Sequence, residues 1–325
     1  MNEPVKAINL RSNSNSLNQI AKKHLLGTIL VLFLPLVMVA QDSILKVPTA
    51  RKWVLGGVQV SLWGGTFYSL NRTWYANYPK TKFHLYNDWK EWQQMDKAGH
   101  FWSTYQISRH TSNIWQWAGL EKKKAIWIGG ISGMAYLSVI EILDGYSDKW
   151  GFSVPDVLAN TAGAGLFVGQ ELLWNEQRIS LKLSYSPYQY GDLKYRADQL
   201  FGSGDVERLL KDYNGQIIWA SVNLRSFLPD SKIPKWLNLA LGYNARTMLG
   251  GYENSWAIQD PVRVDRSDIP RFRRFLLSFD VDLTRIETKN KTLKTVFSIL
   301  NVLKVPAPAI EWNTQGKFRL HPVAY

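Results

Sequence analysis

The hydrophobic period of this 325-residue chain changes near residue 175. Before that point, apolar residues run in long glycine-studded stretches, and polar residues pair at helical spacings of three or four. After it they alternate. Phe275, Leu277, Phe279, Val281 and Leu283 interleave with Leu276, Ser278, Asp280, Asp282 and Thr284. Leu237, Leu239, Leu241 and Tyr243 interleave with Asn238, Ala240, Gly242 and Asn244. Period 2 with one apolar face marks half-buried antiparallel strands. The fold class that follows is α+β. A glycine-rich four-helix bundle over about 51–174 precedes an antiparallel β-rich domain over about 175–325. The β half is a curved sheet or, less favoured, a small barrel.

Four helices are expected, at about 52–75, 92–112, 124–143 and 154–174. Ser153 is the N-cap of the fourth, with Pro155 and Asp156 in its first turn. Glycines recur where helices could approach closely: Gly56/Gly57, Gly64/Gly65, Gly129/Gly130, Gly133, Gly163, Gly165 and Gly169. The first and third helices approach membrane-spanning length, so a membrane-embedded bundle and a compact bundle beside a membrane both stay open. In the second half, 179–186, 216–225, 308–313 and 317–323 are further strand candidates. A short helix falls within 198–213. An amphipathic helix at about 290–304 could cover a sheet face or lie in a membrane interface.

Residues 25–40, LLGTILVLFLPLVMVA, are uncharged and follow Lys22-Lys23-His24. The run is short of the roughly 20 residues a spanning helix needs. Basic flank, short apolar run and small residue are the pattern of a signal peptide over 1–40, cleaved after Ala40. An uncleaved anchor is the alternative. Either way most of the chain is exported, to a periplasm or an outer membrane. The chain has no cysteine, which excludes disulfides, Cys-zinc sites, iron–sulfur clusters, a thiol nucleophile and an acylated N-terminal cysteine. The net charge of +13 is spread along the chain. With neither a dense patch nor a known motif, nucleic acid is not an expected partner. An anionic membrane surface suits the charge, as the fifteen tryptophans suit an interface. Expected partners are membrane lipid or other envelope components. The oligomeric state is not encoded legibly.

Three helices each carry a polar pair on one face: Asp96 and His100, Glu141 and Asp144, Asp156 and Asn160. Buried charges are costly unless paired, so these six should meet. Asp96 and His100 could form a carboxylate–imidazole pair, with Lys97 beside them. His100, Glu141, Asp144 and Asp156 are candidate ligands for a divalent ion, and the set could supply a general acid and base. The competing reading is a clasp between helices. No other cofactor is expected. No G-x-S-x-G turn, phosphate loop or H-E-x-x-H pair occurs.

The segments DKAGHFWSTY (96–105) and EILDGYSDKWGFSVPDVLANTAGAGLF (141–167) resemble the YfiM-like family of uncharacterised envelope proteins. The shared pattern is D-K-x-x-H, an acidic pair, then a D-x-x-x-N helix rich in Gly and Ala. More distantly they resemble VanZ-like membrane proteins, which share a four-helix layout. The resemblance spans about residues 90–170. It implies an envelope setting and no defined reaction. Enterobacterial YfiM-like members look like lipoproteins, whereas this chain has no cysteine to acylate. The expectation is an exported, membrane-associated accessory or structural protein. The alternative is a hydrolase or transferase acting on a lipid-linked or cell-wall substrate, with Glu141 or His100 as base and Asp96 orienting His100. A weaker third reading is a transport or channel element.

Overall fold

The computed structural model describes residues 50–75, 78–259 and 262–324. The signal-peptide expectation for 1–40 lies outside them. Among the described residues, eight helices and a six-stranded antiparallel sheet form, and the sheet does not close into a barrel.

The helices of the first half are α1 (Ala50–Leu70), α2 (Met95–Trp117), α3 (Lys122–Gly145) and α4 (Val154–Trp174). A π-helical turn, Asn71–Tyr75, extends α1. Strands β1 (Leu85–Tyr86) and β2 (Phe152–Ser153) form a short parallel pair. The fourth helix begins as expected: Ser153 Oγ accepts from the Asp156 N–H at 3.1 Å, with proline in the first turn. The second starts later than expected and runs on to Trp117. Trp92, Gln93 and Gln94 hold φ values of 47°, 54° and 63°, a left-handed conformation that cannot continue a helix. The Trp92 N–H instead donates to Gly251 O at 2.7 Å, and its ring packs against Phe201 and Tyr213.

Glycines set the spacing of α2, α3 and α4. A Cβ at Gly129 or Gly133 of α3 would strike the α2 backbone at Ser108 or Thr104. One at Gly163 of α4 would strike Phe101 O. The α1 glycines do no such work: Gly57, Gly64 and Gly65 face open space, and Thr66 is the buried residue of α1. Helix α1 stands off the other three. It touches them through Trp63 and Phe67 against Tyr136, and through Gln59 bonded to Ser132 and Trp115. The gap is an apolar cavity of about 330 Å³ walled by α1, α2 and α3. Among the described residues, α3 alone is long and apolar enough to cross a membrane. Its glycine seam packs it tightly on α2, while Trp127, Ile131, Met134 and Ile142 on its other side are exposed.

The sheet is a meander of β3 (Ile179–Tyr185), β4 (Gln216–Asn223), β5 (Leu237–Arg246), β8 (Phe272–Val281), β9 (Ala307–Asn313) and β10 (Phe318–Ala324), in that spatial order. The hairpin β6 (Ser255–Gln259) and β7 (Val262–Asp265) interrupts it. Helices α5 (Lys194–Phe201) and α6 (Asp205–Lys211) fill the loop before β4, α7 (Leu224–Phe227) follows it, and α8 (Lys291–Leu300) precedes β9.

The alternation expected of these strands is present, but its sense is inverted. Lys182, Ser221, Asn238, Asn244, Arg274, Asp280 and Glu311 point inward and are buried. Lys182 of β3 meets Asp280 of β8 at 2.7 Å with both side chains fully buried. Those strands stand three places apart, about 14 Å along a flat sheet, so the sheet is strongly curled. Arg274 meets Glu311 at 2.7 Å, Ser221 Oγ donates to Asp280 at 2.6 Å, and Trp219 fills the centre. The outward face is mostly apolar, with Gln216 and Arg273 at its end. Registers pair Leu183 with Ile218, Leu239 with Phe279, Leu241 with Leu277, Leu277 with Ile310, and Trp312 with Phe318. On β3 and β4 this outer face is covered: Leu181, Leu183 and Ile218 pack against Met95, Trp102, Tyr105 and Phe167 of α2 and α4. On β8, β9 and β10 it is bare, with Phe279, Ile310 and Leu320 exposed.

The glycine seam gives a paired test. Gly133→Ala and Gly163→Ala should each destabilise by about 1–3 kcal/mol through overpacking. Gly57→Ala and Gly64→Ala should be neutral or stabilising by about 0.5–1 kcal/mol. Thermal melts of the four variants check the contrast.

Candidate functional site

The polar pairs of α2, α3 and α4 converge, around a residue that was not among the candidates. Lys97 Nζ lies 2.5 Å from Asp88 Oδ2, 3.0 Å from Asp96 Oδ2 and 3.0 Å from Asp156 Oδ1. An ammonium has three donors, and each has a carboxylate. Asp88 comes from the loop after β1. Its other oxygen accepts from Ser153 Oγ at 2.6 Å, so the α4 cap is locked to the same group. Glu141 of α3 accepts from the Ser153 N–H at 3.4 Å.

His100 adjoins this centre. Its Nδ1 is 3.0 Å from Asn160 Oδ1, the oxygen that Thr104 Oγ1 also donates to at 3.1 Å. Its Nε2 faces Glu141 Oε1 at 3.6 Å and Asp96 Oδ1 at 3.9 Å. The expected Asp96–His100 pair is thus a loose ionic contact. Asn160 orients the ring, and Asp96 does not. Asp96 is committed elsewhere, accepting from Tyr213 OH at 2.7 Å just before β4. Asp144 stands apart from the centre and accepts from Tyr75 OH at 2.7 Å, tying the end of α1 to α3.

Among the described residues, Asp96, His100 and Asp156 bring ligand atoms within 4.8 Å of one another, as a metal site would. Glu141 and Asp144, two of the four expected ligands, are not in that set. The chemistry of the donors fits an ion poorly, because the ammonium of Lys97 already occupies the position between Asp96 and Asp156. Glu141, Asp156 and Asn160 are buried, while the Asp96 and His100 side chains keep 23% and 17% exposure.

Burial opposes the charged form of His100, but Asp96, Asp156 and Glu141 outweigh it and raise its pKa. Burial likewise opposes ionised Asp96, yet His100 and Lys97 hold its carboxyl below the ordinary value. Glu141 goes the other way: burial pushes it up to about 8 against the pull of His100, with Asp156 and Asp144 adding to the rise. Burial and Asp96 push Asp156 up to about 7 against the pull of His100 and Lys97. The site therefore gathers Lys97 with the carboxyl groups of Asp88, Asp96 and Asp156, beside a raised His100 and a Glu141 that titrates near neutrality.

The sequence places Lys97 beside the Asp96–His100 pair without giving it a role, and it misses Asp88, Thr104, Tyr75 and Tyr213. Lys97 stands inside the D-K-x-x-H motif, so a signal existed. Asp88 lies in a loop with no periodicity, and Tyr75 and Tyr213 lie outside the helices that carry the motif.

Residues 86–170 match a family, DUF2279, described as a predicted periplasmic lipoprotein. That stretch contains Asp88, Asp96, Lys97, His100, Glu141, Asp144, Asp156 and Asn160. The match covers about a quarter of the chain and fits an exported envelope protein. No curated protein and no solved structure matches the chain.

The pKa shifts set a pH dependence. Glu141 folded binds its proton more tightly than unfolded, so the fold loses stability as pH rises from 4.5 to about 8. His100, also raised, contributes in full below 6.5 and loses that contribution as pH climbs through its folded value. Asp96, lowered, contributes above 3.8 and is lost below it. Melting temperature should therefore peak on the acid side of neutrality and fall towards pH 8. Glu141→Gln should fall less. A wild-type curve that rises between pH 5 and 8 would contradict the assignment.

Proposed function

We propose that this is an exported cell-envelope protein, membrane-associated and accessory in role, whose buried cluster is a structural clasp for the bundle. The observation that carries the reading is Lys97. Its three donors are consumed by three carboxylates from separate places in the chain. A catalytic lysine needs a free lone pair aimed at a substrate; the three donors of Lys97 are instead taken up from within. The match over 86–170 to a predicted periplasmic lipoprotein family supports the envelope setting.

The second reading is a hydrolase or transferase acting on a lipid-linked or cell-wall substrate. It is favoured by one observation: His100 and Asp96 keep partial solvent contact beside a Glu141 that titrates near neutrality. His100 or Glu141 would be the base, with Asn160 positioning the imidazole.

Stability separates the two. Removing one partner of a buried ionic set costs about 3–5 kcal/mol, and each kcal/mol moves the melting point by about 2–4 °C in a chain of this size. Lys97→Met and His100→Ala should both melt well below the wild type, with no change on adding divalent ions or chelator. Variants that fold and melt at or above the wild-type temperature would mean the residues are kept at a cost to folding, as a working site is.

A further inference from the structure

The bare outer face of the sheet is the surface that remains to be explained. A curled sheet in water normally turns its apolar face inward. Here Lys182, Asp280, Arg274 and Glu311 are sealed inside and paired around a small apolar cluster centred on Trp219, while the other, mostly apolar side faces out. That is the inside–outside sense of strands that live in lipid. Half of this face is already used, since α2 and α4 cover β3 and β4. The other half is not covered. Leu241, Leu277, Phe279, Ile310, Trp312 and Leu320 are exposed on four adjacent strands, Leu320 at 80%.

A second element repeats the pattern. Helix α8 buries none of its residues, and Leu293, Val296 and Leu300 along one side are exposed. Lys291 and Lys294 lie on the same short helix. An amphipathic helix with its apolar side open and lysines in place is suited to lie in a membrane interface. A twofold contact between copies would cover one self-complementary patch. The apolar faces of both elements suit lipid, and the net charge of residues 41–325, 35 basic less 25 acidic or +10, complements an anionic surface.

We propose that the outer face of β5, β8, β9 and β10 seats this protein on an anionic lipid bilayer. The sheet lies against the membrane and does not cross it, because its β10 edge is open and unpaired backbone is not tolerated in hydrocarbon. This holds whether the buried cluster is a clasp or a catalyst.

The absence of cysteine makes the test site-specific. The exported protein would carry a single cysteine at Leu320→Cys, or at the polar exposed control Glu287→Cys, labelled with an environment-sensitive fluorophore. Vesicles of phosphatidylethanolamine and phosphatidylglycerol should shift the Leu320→Cys emission to the blue, and brominated acyl chains should quench most of it. The Glu287→Cys probe should not be quenched. The double variant Leu277→Asp/Leu320→Asp, with an unchanged melting point, should bind the vesicles about tenfold more weakly or worse. Vesicle binding that leaves the Leu320→Cys probe unchanged would place the contact elsewhere and overturn the proposal. So would a probe already blue-shifted without lipid in a protein that sediments as a dimer, which would make a second copy the occupant.

Discussion

One ammonium group organises the helical half. Lys97 draws Asp88 from a loop, Asp96 from its own helix and Asp156 from α4 to within 3.0 Å. Each of these groups then fixes something further. Asp88 holds Ser153, and Ser153 caps α4 and touches Glu141 of α3. Asp96 holds Tyr213 at the entry to the sheet. The glycine seams let the three helices come close enough for these short contacts. The arrangement is costly to leave incomplete, since any one charge without its partner would be stranded among buried groups.

Helix α2 belongs to two environments at once. One side carries Asp96, Lys97 and His100 into the ionic centre. Another presents Met95, Trp102 and Tyr105 to the outer face of β3 and β4. The bundle is thus mounted on the apolar exterior of a sheet whose own interior packs ion pairs around Trp219. The two halves solve opposite problems. The bundle hides charges among helices packed through glycine, whereas the sheet hides charges inside its curl and leaves apolar side chains outside. The bundle covers part of that exterior, and α1, which stands away from its neighbours over an apolar cavity, adds more exposed apolar surface.

Much of this was legible in the sequence. The period change near 175, the α4 boundaries with the Ser153 cap, and the six strands of the sheet follow from patterns that local physics imposes. The convergence of Asp96, His100, Glu141, Asp156 and Asn160 followed from the cost of burying charge. Other features were not legible, for identifiable reasons. Period 2 separates two faces of a strand but does not say which one looks inward, so the inverted sheet was invisible. Spacing of four places Asp96 and His100 on one helix face, but it does not reveal that Asn160 from another helix outcompetes Asp96 for the imidazole. Asp88 sits in an aperiodic loop. The left-handed run at Trp92–Gln94 has no glycine to announce it. The strands of the 255–265 hairpin are too short to show a period. The α1 glycines carry the composition of a close seam without making one.

The central claim is that the charges around Lys97 serve to satisfy one another. The most direct measurement is chemical denaturation of Lys97→Met beside the fourfold variant Lys97→Met/Asp88→Asn/Asp96→Asn/Asp156→Asn, which removes all four charges together. Losing the lysine alone strands three buried carboxylates, whereas uncharged groups of similar shape restore a set that needs no counter-charge. The account predicts that the single variant is strongly destabilised and that the fourfold variant recovers most of the wild-type stability. A single variant as stable as the wild type would contradict it, and so would a fourfold variant no better than the single.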